Sequence, residues 1–122
     1  MNDQPSEPAS ADYRRLAAEM LARRRLRGQF FERQSFSEQR WDLMLVLFTN
    51  PASNSSVEQV SVALGMTAAT TLALARILAG FDLVGMGDSD GGWSDIPLRL
   101  TDNGRERMQA YFAELLAQGM LA

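Results

Sequence analysis

The stretch from Gly65 to Val84, GMTAATTLALARILAGFDLV, decides how this chain folds. Gly65 can take a positive φ and break the chain sharply. Thr67 is a good helix N-cap, and a helix follows to about Phe81 with Thr71, Leu74, Ala75 and Leu78 on one face. Asp82 stands where the chain must leave that helix, and Asp tolerates the left-handed conformation. Upstream, SVEQVSVALG is a short helix opened by Ser56 or Glu58, with Val60, Ala63 and Leu64 inward. Two short helices joined across a Gly-containing turn make a helix-turn-helix, over about 56–81.

Outward in the C-terminal direction, LVGMGDSDGGWSDIPLRLT predicts a hairpin over about 83–100. Leu83 and Val84 start one strand. Ile96, Leu98 and Leu100 alternate along the other, and DSDGG supplies the turn. Pro97, lacking an N–H, is expected to hold the second strand at an edge. Thr101 then caps a terminal helix over about 102–120, with Met108, Tyr111, Phe112, Leu115 and Leu116 as its apolar stripe, continued to Met120.

In the N-terminal direction, Ser37 caps a helix whose run MLVLF is apolar nearly all round, and Trp41, Met44, Leu45 and Phe48 share its spacing. It stops before Pro51, and NPASNSS reads as a loop. Residues 1–10 are polar with two prolines and read as a disordered tail; Ser10 or Asp12 opens a first helix ending near Gly28. The fold class is therefore mainly α with a small β-hairpin wing. It is one winged helix-turn-helix domain over 11–122, flanked by amphipathic N- and C-terminal helices whose spare faces suit pairing with a second copy. Tyr13, Leu16, Met20, Tyr111, Phe112 and Leu115 are the residues expected at that interface.

Composition narrows the function. The chain has 122 residues, which suits one core, and neither Cys nor His. Thiolate and imidazole chemistry are therefore absent, and with no Lys a Ser–Lys dyad is absent too. The acids fall on separate elements and no glycine-rich phosphate loop is present, so the reading is not an enzyme, with no cofactor and no metal. Asp88 and Asp90 match the start of a calcium-loop pattern, but the next position is Gly92 and the closing acid is missing. No apolar run approaches a membrane span and no signal peptide opens the chain, which leads to an expected cytoplasmic location without membrane contact.

At LRLTDNGRERM, Leu98 to Met108, the chain resembles the MarR-type winged-helix transcriptional regulators. In that family the second wing strand runs into Leu-Thr-x-x-Gly-Arg, matched here by Leu100, Thr101, Gly104 and Arg105. The spacing from Gly65 to Val84 also resembles the family's recognition-helix segment, with Asp82 in place of a Gly. The resemblance covers roughly Asp12 to the C-terminus. It implies a homodimer held by its terminal helices that binds double-stranded DNA at near-palindromic operators and often answers to a small ligand.

The resemblance places Thr67, Ala69, Thr70, Ala73 and Arg76 toward the major groove, and Trp93, Ser94 and Arg99 on the wing. Thr and Ala methyls can contact thymine, while the Thr pair equally serves as a helix start; Arg76 suits a phosphate or plain solvent. The chain departs from the family where charge matters. Ala73 stands where a basic residue is usual, and the wing carries Asp88, Asp90 and Asp95 with no Arg before Arg99. Residues 1–40 hold eight Arg against six acids, and residues 41–122 four Arg against nine. The cluster Arg23, Arg24, Arg25 and Arg27 is the one concentrated basic patch, available to DNA backbone, to an acidic partner or to solvent. Trp93 either folds back on Met86 or anchors another protein. A winged helix that has lost DNA binding and docks a protein partner through its wing is thus the alternative to a DNA-binding regulator.

Overall fold

A computed structural model describes residues 6–31, 37–50 and 55–119. The element order is α1 (Ser6–Arg27), α2 (Glu38–Thr49), β1 (Ser55–Ser56), α3 (Val57–Leu64), α4 (Ala68–Gly80), β2 (Val84–Met86), a 3-10 turn (Trp93–Asp95), β3 (Pro97–Leu100) and α5 (Asp102–Ala117). α3 and α4 form the helix-turn-helix and β2 and β3 the wing strands, while α5 ends at Ala117, short of the expected 120.

The caps explain the boundaries. Ser37, Ser56, Thr67 and Thr101 each accept a backbone N–H from three residues on, and Ser56 forms a full capping box with Gln59. α1 starts earlier than the sequence predicts. Residues 6–10 are helical, so the disordered reading of 1–10 is corrected there, and residues 1–5 and Met120 lie outside the described residues. Pro8 falls in the first turn, where a missing N–H has no helical partner to lose.

The wing is larger than a hairpin. Ser55–Ser56 adds a third strand, giving the order β1-β3-β2 with every pair antiparallel. β3 is therefore the middle strand, not an edge, and Pro97 is tolerated because it is the strand's first residue. Leu98 and Leu100 face inward, as their alternation predicts.

The core lies between this sheet and helices α2 to α5. Leu43, Met44, Val57, Val60, Leu78, Leu83, Leu98 and Met108 are its largest fully buried apolar side chains. Ala63, expected inward, is exposed: α3 buries Val57, Val60 and Ser61 instead. An aromatic cluster ties α2 to α5. Trp41 meets Phe31 and Tyr111 edge-on at 5.6 Å and 5.4 Å, and Phe48 meets Phe112 at 5.0 Å.

Candidate nucleic-acid interface

The α3–α4 unit is fixed by three local devices. Gly65 takes φ 66° between the helices, which break by 107°. Inside the angle, the buried Ser61 hydroxyl lies 2.8 Å from the Thr71 hydroxyl and donates to the Val57 carbonyl, while Thr71 donates to the Thr67 carbonyl. The sequence marked Thr71 as inward but gave Ser61 no role; its four-residue spacing from Val57 was the available signal.

The third device closes the C-terminal end of α4. Asp82 adopts φ 59°. Its carbonyl accepts from the Thr101 hydroxyl at 2.6 Å and from Asn103 at 3.1 Å. The Leu83 carbonyl accepts the Thr101 N–H, and Gly104 packs so tightly on Leu83 that a Cβ would come under 3.0 Å from that carbonyl oxygen. Thr101 and Gly104 thus have a physical purpose: they dock the start of α5 on the turn that orients α4.

With its inner face buried at Thr71, Leu72, Leu74, Ala75 and Leu78, α4 turns Ala69, Thr70, Ala73, Arg76 and Ile77 outward. The Thr67 hydroxyl accepts the Thr70 N–H at 3.1 Å and lies 2.9 Å from the Thr70 hydroxyl. The capping role of this pair is therefore observed. Trp93 is not at a projecting tip. Its 3-10 turn packs on α3 and α4, and the indole, 49% exposed, forms one wall of an open groove of about 360 Å³. Ala69, Leu72, Ala73 and Arg76 form the rest of that groove.

The other expected wing residues do not join it. Ser94 follows Trp93 in the same turn and is half-buried. Arg99 lies on the outer face of the sheet, its guanidinium over Gly85, and lines a separate polar cleft with Asp82, Asp102 and Asn103. Asp88, Asp90, Asp95 and Glu58 are all exposed.

The basic patch is divided, because successive residues of a helix point about 100° apart. Arg27 is 8% exposed, pairs with Glu38 at 2.7 Å and lies 4.8 Å from the Trp41 ring, so it is structural and not free for DNA. Arg23 and Arg24 line a cleft between α1, α2 and α5, whereas Arg25 lines another with Glu114 and Gln118.

The expected interface residues also separate. Tyr13, at 70% exposure, Leu16, Met20 and Leu21 leave an apolar face uncovered on α1, and Leu116 does so on α5. Tyr111 and Leu115, at 4% and 7%, are core residues of this chain, and Phe112 is partly covered by Trp41 and Phe48. Burial within this chain takes Tyr111 and Leu115 out of the expected interface, and Phe112 is left partly exposed. Burial also raises the Tyr111 phenol above its ordinary value, partly offset by Arg27 and Arg23.

These features define a winged helix-turn-helix with an exposed second helix. No family model matches the chain, and no curated protein matches it. Among solved structures it is similar to the Rv1404 protein of Mycobacterium tuberculosis, at TM-score 0.72 and 14% identity, covering 97% of this chain and 80% of that one. It is similar to YusO of Bacillus subtilis at 0.66 and 16%, covering 98% and 87%. It is also similar to S. aureus MepR in a DNA complex, at 0.67 and 17%, covering 88% and 86%. The fold of this chain is the MarR-type winged helix.

Proposed function

We propose that this chain is a transcriptional regulator that binds double-stranded DNA as a homodimer in the cytoplasm, with α4 in the major groove. The observation that carries the reading is the outward face of α4. Its residues are exposed from Ala69 to Ile77, while the inner face is buried and the two ends are pinned, by Ser61 against Thr71 at one and by Thr101 on the Asp82 carbonyl at the other. MepR, whose fold the chain shares, is seen bound to DNA. Two protomers are proposed because α1 exposes Tyr13, Leu16, Met20 and Leu21 along one side, an apolar surface a second copy would cover.

The grip on phosphate is modest by construction. Arg76 is the one cation on the reading face; at the far end of that face the first turn of α4 adds the amides that the Thr67 cap does not take up. Arg23 with Arg24, Arg25, and Arg99 are the further candidates for backbone contact, on three different surfaces. The acids of the wing act against a polyanion.

Selection from a pool of random duplexes tests the proposal: enrichment of a near-palindromic sequence supports it, and failure to enrich any sequence refutes it. The exposed wing acids beside a half-exposed Trp93 favour a second reading, a docking surface for a basic protein. Under that reading Trp93→Ala and neutralised wing acids would abolish partner binding, and no duplex would be recovered.

A further inference from the structure

We infer that the groove between α4 and Trp93 reads thymine through its C5 methyl group. The inference rests on the proposed DNA-binding role and specifies what that face recognises. It follows from what the groove offers. Ala69, Ala73 and the Trp93 indole present carbon to an incoming base edge, with the buried Leu72 beneath them. Directional hydrogen bonding is scarce there: the Thr67 hydroxyl is engaged with Thr70, which leaves the Thr70 hydroxyl and Arg76.

In the major groove the one apolar group on any base edge is the thymine methyl. A cytosine in the same place carries only hydrogen at C5, so it leaves the groove between Ala69, Ala73 and the indole without its methyl contact. A thymine covers the methyls of Ala69 and Ala73 with its C5 methyl, while its neighbouring O4 stays at the groove rim within reach of the Thr70 hydroxyl, Arg76 or water. The exposed wing acids Asp88, Asp90 and Asp95 sharpen this dependence. They weaken phosphate attraction, so the apolar contact carries a larger share of the binding.

The position of Trp93 gives the groove its second wall. The 3-10 turn is held on α3 and α4 by packing, so the indole stands beside the reading helix and not out along the wing. A methyl entering the groove is therefore covered from two sides, by α4 and by the indole. Burying one methyl is worth about a fourfold change in affinity.

The test alters the DNA and leaves the protein intact, so folding does not enter. The probe is the duplex recovered by selection from a random pool, resynthesised with deoxyuridine for thymidine at the positions facing α4. The expected result is a loss of about fourfold per contacted thymine, and about fifteenfold when one is changed in each half-site. Where a contacted T·A pair is replaced by C·G, placing a methyl on that cytosine is expected to restore about fourfold. Equal affinity for the thymine and uracil duplexes overturns the inference while leaving DNA binding in place. Absence of binding to any duplex overturns the DNA-binding reading itself, and this inference with it.

Discussion

Replacing Gly104 by Ala tests whether α5 truly sets the pose of the reading helix. The added Cβ would stand under 3.0 Å from the Leu83 carbonyl oxygen and 3.1 Å and 3.2 Å from its carbonyl carbon and Cα. All three are rigid backbone atoms. Restoring ordinary contact requires the first turn of α5 to back away by roughly 1 Å, a displacement of the overpacking kind that costs about 1–3 kcal/mol. The same movement stretches the hydrogen bonds from Thr101 and Asn103 to residues 82 and 83, each contributing about 1 kcal/mol. Against this, Ala is favoured over Gly in a helix by up to about 1 kcal/mol. The net expectation is a loss of about 2 kcal/mol, or about 8 °C in melting temperature for a chain of this length. Gly80→Ala is the matched control, since a Cβ there meets nothing within 4 Å and its φ is ordinary. It should leave the melting temperature unchanged or raise it slightly. Calorimetry showing Gly104→Ala to be as benign as Gly80→Ala would refute the clamp.

Three further outcomes follow from the same geometry. Ser61→Ala removes the buried polar link between α3 and α4 and should lower stability by about 1–2 kcal/mol in denaturant unfolding; no loss would mean that this link contributes nothing to holding the two helices together. In a Tyr13→Phe variant, where Tyr111 is the sole tyrosine, phenolate absorbance should show a midpoint above 10.0. Because the folded phenol keeps its proton after the unfolded chain has lost it, stability should fall as pH rises through that range; a midpoint at or below 10 contradicts the burial. Light scattering should give a dimer at micromolar concentration, converted to monomer by Leu16→Glu with Met20→Glu; a monomeric parent protein would remove α1 as an interface.

The parts of the fold that were legible in the sequence are those set locally. Thr67, Gly65, Asp82 and Thr101 announce caps and a left-handed turn, because such geometry depends on a few neighbouring residues. Ser55–Ser56 could not be seen as a strand, since its pairing depends on Leu98 and Pro97 forty residues on and neither serine has strand character. Tyr111 and Leu115 show how an apolar stripe names a buried face without naming what buries it. The sequence assigned them to a second copy, whereas Trp41 and Phe30 of the same chain cover Tyr111. The Arg cluster shows the same blindness: adjacency in sequence suggested one patch, and helical rotation sent Arg25 and Arg27 to different surroundings. Trp93 was rightly read as outside the core, but its place beside α4 depends on the 3-10 turn that the glycines and Asp95 permit.

The most direct test of the account is the salt dependence of binding to the selected duplex, followed by fluorescence anisotropy. Affinity falls with a logarithmic slope of about −0.9 per phosphate neutralised. With Arg76 and a helix N-terminus as the principal phosphate contacts of each protomer, a dimer should bind with a shallow slope of about −2 to −4. A slope of about −8 or steeper would contradict the electrostatics described above, and no binding at the lowest salt would contradict DNA recognition by α4.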